Sequence, residues 1–167
     1  MEKLVARSLP DGSPLHRDLS RIVAMYHDEY GRCWEESSKP YPGIPDMLAG
    51  LAGRGIRLAV LSNKADDFTR IMTGRLLPGI PFARVRGARP GEPKKPDPRM
   101  AIETAEALAV PASRFVYVGD SATDMHTAVA AGMYPVGVAW GFRGAGELRG
   151  SGAKTLLEKP SDIFALF

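Results

Sequence analysis

Cysteine occurs once in the 167 residues, at Cys33, so no intrachain disulfide can form. With no Cys or His at ligand spacing around it, Cys33 reads as a helix residue rather than a nucleophile. No apolar run approaches the ~18 residues that a membrane-spanning helix needs, and Met1-Glu2-Lys3 opens onto no signal-like apolar stretch. The expectation is a soluble, cytoplasmic protein with no membrane partner. Internal repeats and low-complexity tracts are absent. No glycine-rich phosphate loop follows a first strand, which argues against a doubly wound nucleotide-binding domain. Aromatic residues make up 8% of the chain, and the positive surplus is small, at +3, with a pI near 9.1. The one concentrated basic stretch, residues 84–95, sets Arg84, Arg86, Arg89, Lys94 and Lys95 among Gly87, Pro90, Gly91 and Pro93 rather than among stacking aromatics. Nucleic acid is therefore not an expected partner. A loop leading an anionic substrate to Lys95 accounts for the stretch, as does a solvated surface loop. Of the three histidines, His16 and His27 lie far apart without acidic or cysteine neighbours at ligand spacing, and His126 falls on the opposite helix face from Asp124.

The remaining composition is that of a globular protein, 44% hydrophobic and 25% charged, enough for one domain with a substantial core. Its most informative stretch is Val116-Tyr117-Val118-Gly119-Asp120-Ser121-Ala122-Thr123-Asp124. An apolar, β-branched and aromatic run stops at a glycine, and a helix-favouring segment follows. Gly119 and Asp120 thus sit at the carboxyl end of a strand, where open α/β sheets bind ligands. Asp124 lies one helical turn further on and can face the same ligand. Hard carboxylate donors in that place suit Mg²⁺, whereas a purely structural role would make Asp120 or Ser121 a helix cap and Asp124 a dipole partner.

Two other polar signals fall at strand ends. Arg57-Leu58-Ala59-Val60-Leu61 reads as a strand ending in Ser62-Asn63-Lys64, and Lys95-Pro96-Asp97-Pro98 places a lysine just before a helix entrance. A hydroxyl, an ammonium and an aspartate pair, in that order on successive βα units, form a phosphate-and-magnesium constellation.

With these residues the chain resembles the haloacid dehalogenase-like phosphohydrolases, in particular the phosphoglycolate phosphatase-like branch. Leu61-Ser62-Asn63-Lys64 matches the second motif, Lys95-Pro96 the third, and Gly119 to Asp124 the fourth. The resemblance implies that Ser62, with Asn63, holds the transferring phosphoryl group, that Lys95 neutralises it, and that Asp120 and Asp124 bind Mg²⁺. It also implies a small phosphorylated metabolite as substrate, with phosphoglycolate the best named candidate. Tyr41-Pro42-Gly43 is similar to the branch's return from cap to core, and Gly137 to Arg143 to its segment after a core strand. A dehalogenase is a weaker fit, because Asp120 with Asp124 matches the magnesium-dependent branch.

The family's opening motif, Asp-x-Asp-Gly-Thr, carries the nucleophile and does not occur here. Its nearest counterpart, Leu9-Pro10-Asp11-Gly12-Ser13, has leucine at the nucleophile position, and leucine cannot attack phosphorus. Two functional readings stay open: a phosphatase whose chain as given is inactive alone, or a non-catalytic phosphate- and Mg²⁺-binding module. In the resembled fold the motif strand lies between those ending at Ser62 and Asp120. Its loss predicts two unpaired edges, and unpaired buried backbone groups cost on the order of 1–3 kcal/mol each. A longer protein, a second chain or residues 3–9 would fill the gap; the last option predicts strand at residues 3–9. Association as a homo-oligomer or strand-swapped dimer is a further expectation.

The fold class expected is α/β, a three-layer core with a parallel sheet like that of the haloacid dehalogenase family. Residues 1–40 are assigned to a helical cap and residues 41–167 to the core. Leu15, Leu19, Ile22, Val23, Tyr26, Tyr30 and Trp34 recur at helical spacing, predicting a helical segment over residues 13–36. Beyond it, helices are predicted over residues 43–54, 65–75, 97–109 and 122–131, and strands over 57–62, 82–86, 115–119 and 135–139. Strands alternating with helices imply right-handed crossovers. A short strand near residues 154–157 and a closing helix over 161–166 complete the chain.

Overall fold

The structure, a computed structural model, describes residues 18–167. They divide into two compact units between Lys39 and Pro40. In the first, helix α1 (Leu19–Ser37) carries the predicted apolar stripe. Ile22, Val23 and Tyr30 are half-buried and Trp34 is buried. Tyr26 of the same stripe is exposed and stacks on Tyr30, with ring centroids 5.8 Å apart.

The second unit alternates helix and strand, as the switch from helical to extended apolar patterning requires. Helix α2 (Ile44–Gly53) leads to β1 (Leu58–Ala65) and α3 (Asp66–Leu76), whose first-turn Asp66 and Asp67 and last-turn Arg75 complement the helix dipole. Then come β2 (Phe82–Ala88), α4 (Arg99–Ala107), a 3-10 turn (Ala112–Arg114), β3 (Val116–Gly119) and α5 (Ala122–Ala130). The chain closes with β4 (Tyr134–Val138), α6 (Ala145–Gly150), β5 (Thr155–Leu157) and a 3-10 helix (Pro160–Leu166).

All described pairings are parallel. β1 pairs with β2 in the register Leu58 to Phe82 and Val60 to Val85, while β4 pairs with both β3 (Val118 to Val136) and β5 (Val136 to Thr155). Helices cover two faces. On one, Leu51 of α2 and Ile163 of the closing turn pack with Leu58, Val136 and Leu157 of three strands. On the other, Ala101 and Ala105 of α4 meet Ala128 of α5, with Leu61 and Tyr117 against them.

Among the described residues these strands make two sheets, β1-β2 and β3-β4-β5, rather than one. The facing edges of β1 and β3 border a cavity of about 450 Å³ lined by Leu58, Ala59 and Leu61 on one side and Val116, Tyr117 and Val118 on the other. Among the described residues no strand lies in the gap expected between β1 and β3. Residues 3–9, expected as strand if they fill it, lie outside the described residues.

Two elements differ from the sequence expectations. β1 continues through Ser62, Asn63 and Lys64 to Ala65 instead of stopping at residue 62, with an irregular register between Leu61 and Ala65. Apolar patterning ends at Leu61, and side-chain periodicity does not register a polar continuation of the backbone. Helix α6 was not expected, since Gly141, Gly144 and Gly146 read as loop and Leu148 is its one buried residue. The closing helix expected over 161–166 is present as a 3-10 helix, its entrance fixed by the Asp162 carboxylate, which accepts from the Glu158 and Lys159 N–H groups. None of the described helices is long and apolar enough to cross a membrane.

Candidate active site

One side chain, Lys95, links the middle of β1 to the first turn of α5, the helix that follows β3. Its Nζ donates to the Leu61 carbonyl of β1 at 3.3 Å and to Asp124 Oδ1 of α5 at 2.7 Å. Both side chains of the ion pair are largely buried, 12% and 10% exposed. In so little water a charge pair is weakly screened, and each partner depends on the other.

Asp124 is held from its other side as well. Ser121 caps α5, accepting the Asp124 N–H at 3.3 Å, and its hydroxyl donates to Asp124 Oδ2 at 2.6 Å. Both carboxylate oxygens are thus engaged. Such close seating needs Gly119: a Cβ there would lie 2.2 Å from Asp124 Cβ and 2.5 Å from its Cγ. Beside them the Tyr117 hydroxyl is pushed above its usual range, chiefly by burial and then by the Asp124 charge.

Asp120 occupies the turn between β3 and α5, and its Oδ2 accepts the Phe142 N–H at 3.1 Å. The segment after β4 thereby closes over the turn. Gly141 permits this approach, since a Cβ at that position would come within 2.2 Å of Asp120 Cβ and 2.7 Å of its Oδ2. Phe142 itself is 86% exposed at the rim.

Ser62 and Asn63 lie on the polar continuation of β1. The Ser62 hydroxyl accepts the Lys64 N–H at 3.1 Å. The Asn63 side chain engages the Lys95 backbone, its Nδ2 donating to the Lys95 carbonyl at 3.0 Å and its Oδ1 accepting the Lys95 N–H at 2.8 Å. Lys95, Asp124, Ser121 and Asn63 therefore form one connected network, with Ser62 and Asp120 adjoining it in sequence.

The basic stretch 84–95 is less free than its composition suggests. Arg86 is buried and pairs with Glu92 at 2.9 Å and with Glu103. Arg89 pairs with Asp66 at 3.1 Å, and Lys95 with Asp124. Asp66 also accepts the Gly87 N–H at 2.8 Å. That bond, with help from Arg70 and Arg89, holds the Asp66 carboxyl down at about 2. These pairs fasten the loop to β2, α3 and α4, so most of its charge is spent internally rather than on steering an anion.

Among the described residues no group of three or more His, Cys, Asp or Glu side chains is arranged to hold a metal ion. His27 lies on α1, edge-on to Tyr26, His126 is exposed on α5, and His16 is outside the described residues.

The haloacid dehalogenase-like hydrolase family model matches residues 5–138, most of the chain, and spans Ser62, Lys95, Asp120 and Asp124 together. The chain belongs to that family. It is 33% identical over 147 residues to a phosphoglycolate phosphatase of Nitrosospira multiformis, covering 85% of this chain and 64% of that relative. Against a phosphoglycolate phosphatase of Pseudomonas fluorescens the identity is 31%, over 83% of this chain and 52% of the relative. The chain thus spans about half to two thirds of the length of these curated relatives. Among solved structures, a protein of Lactobacillus delbrueckii subsp. bulgaricus put forward as a phosphoglycolate phosphatase superposes with a TM-score of 0.80 at 31% identity, covering 88% of this chain and 61% of that one.

For a chain of the haloacid dehalogenase-like family, the four motif-bearing residues were readable from strand ends and spacing. Their supports were not. Ser121 and Gly119 lie inside a motif and carried a weak signal as cap and turn residues. Gly141 against Asp120, Asp66 against Gly87 and Arg86 against Glu103 act across 17 or more positions, and no local pattern marks them.

Proposed function

We propose that this chain carries the phosphate- and Mg²⁺-handling part of a phosphomonoesterase site, acting on a small phosphorylated metabolite of the phosphoglycolate class. The observation that carries the reading is Lys95 bridging β1 and the first turn of α5 through Leu61 and Asp124. An ammonium held at the carboxyl ends of parallel strands is placed to neutralise a phosphoryl group. Ser62, adjacent to Leu61, offers a hydroxyl to the same group, and the exposed rim at Phe142 leaves the site approachable from solvent.

Mg²⁺ binds through one or two carboxylates with water and substrate oxygens completing its shell, so the donor set of Asp120 with Asp124 and Ser121 fits it without a third acidic residue. Asp120 is the ligand in this reading. Asp124, whose two oxygens already serve Lys95 and Ser121, acts first as the counter-ion that fixes Lys95. When bound, the metal would supply charge neutralisation and orientation of a phosphate oxygen. Lys95 stabilises charge developing on the phosphoryl oxygens, and Ser62 orients the group.

A second reading starts from the nearest counterpart of the family's opening motif, Leu9-Pro10-Asp11-Gly12-Ser13, which has leucine at the nucleophile position. In it the chain binds phosphate and Mg²⁺ without hydrolysing the ester, because covalent attack needs a nucleophile. Titration with phosphoglycolate, with and without Mg²⁺, alongside release of inorganic phosphate, tests both. Saturable binding strengthened by Mg²⁺ is expected. Turnover that EDTA abolishes selects the phosphatase, and binding without turnover selects the module. Failure of phosphoglycolate and of inorganic phosphate to bind overturns the reading.

A further inference from the structure

Asn63 would ordinarily be read as a ligand for the substrate's phosphate, because it follows Ser62 at a strand end. Its side chain is otherwise engaged. Nδ2 donates to the Lys95 carbonyl at 3.0 Å and Oδ1 accepts the Lys95 N–H at 2.8 Å. This two-point clasp satisfies both backbone groups of one residue, as a neighbouring strand would, and only a short primary amide presents a donor and an acceptor at that spacing.

We infer that Asn63 is a positioning residue that fixes the backbone of Lys95 and thereby aims its ammonium between Leu61 and Asp124. Three geometric facts support this. Lys95 stands in the loop between β2 and α4, outside any regular element, so its backbone groups have no ladder or helix to hold them. The clasp is exposed, while the ammonium it serves is largely buried, so the two ends of the residue are pinned independently. The other fastenings of the loop, through Arg86 and Arg89, act at Glu92 and at Asp66, and among the described residues they leave the Lys95 backbone to Asn63. A side chain held at its backbone and at its tip has few rotamers left, and preorganisation of this kind is what makes a cation effective against developing charge.

The inference rests on the phosphate-site reading for its functional consequence, but the clasp can be tested apart from it. Amide hydrogen exchange at Lys95 is the direct measure. Asn63→Ala removes both bonds and is expected to speed exchange of the Lys95 N–H by about tenfold or more. Asn63→Asp keeps the acceptor and loses the donor, so it should retain most of the protection. Inorganic phosphate and Mg²⁺ affinities are measured on the same proteins: Asn63→Ala should weaken phosphate by about tenfold and leave Mg²⁺ binding at Asp120 unchanged. A variant damaged in its fold would lose both together, which circular dichroism would reveal, and Asn63→Leu, similar in shape and lacking both hydrogen bonds, then carries the test with the same expected changes. Unchanged Lys95 exchange in Asn63→Ala overturns the clasp. Faster exchange with unaltered phosphate affinity overturns the positioning role. If the wild-type protein binds no phosphate, the function reading fails while the exchange result still decides the clasp.

Discussion

Replacing Lys95 by methionine keeps an unbranched side chain of similar length and removes the charge. Asp124 would then stay buried, with its side chain only 10% exposed, and with Ser121 as its remaining side-chain partner. Breaking a buried pair from one side costs about 3–5 kcal/mol when the survivor has no other support. The retained Ser121 hydrogen bond and the residual exposure lower that to about 2–4 kcal/mol. Asp124→Asn in the same background relieves the uncompensated charge, so the two substitutions should be strongly non-additive, with a coupling of about 1–3 kcal/mol in a double-mutant cycle. Urea denaturation of the four proteins, monitored by far-ultraviolet circular dichroism, gives the free energies from midpoints at a common slope. Because the pair is buried, adding 1 M NaCl should leave most of the coupling intact. A Lys95→Met protein within about 0.5 kcal/mol of wild type, or a cycle that is additive, would refute the claim that this pair is a built, interdependent feature.

Two further outcomes follow from the same geometry. Gly119→Ala drives a Cβ to 2.2 Å from Asp124 and cannot be relieved by a flexible side-chain tip; a loss of at least about 2 kcal/mol is expected, measured by the same denaturation, and a neutral effect would contradict the close seating of Asp124. Asp66, with its carboxyl held at about 2 against an ordinary 3.8, binds protons less readily when folded than unfolded. Its contribution is therefore fully present above about pH 4 and is lost as pH falls through 2. Stability of Asp66→Asn should fall less steeply than wild type across that window, and identical slopes would contradict the proposed role of Asp66 in fastening residues 87–89.

The strands are legible because apolar runs and helical stripes are local: Val116-Tyr117-Val118 and Leu58-Ala59-Val60-Leu61 announce parallel strands by composition. The site residues were legible because strand ends are where a parallel sheet offers free backbone and a helix N-terminus together. What was hidden is relational. That Lys95 touches Leu61 and Asp124, or that Gly141 lets Phe142 donate to Asp120, depends on segments brought together by the sheet order. The polar continuation of β1 was missed since Ser62, Asn63 and Lys64 break the apolar pattern while the backbone stays extended. The basic loop misled for the opposite reason: composition shows five cations, and only packing shows that Arg86, Arg89 and Lys95 already have carboxylate partners. Among the described residues the strands form two sheets with a cavity between β1 and β3.

The central claim is that Lys95, held between β1 and the first turn of α5, forms the heart of a phosphate site. Calorimetric titration of wild type and Lys95→Met with inorganic phosphate at fixed Mg²⁺ tests it most directly. The account predicts saturable binding to the wild-type protein, weakened at least about tenfold, or 1.4 kcal/mol, in the variant. Equal affinity in the two proteins, or no saturable binding to wild type, would contradict it.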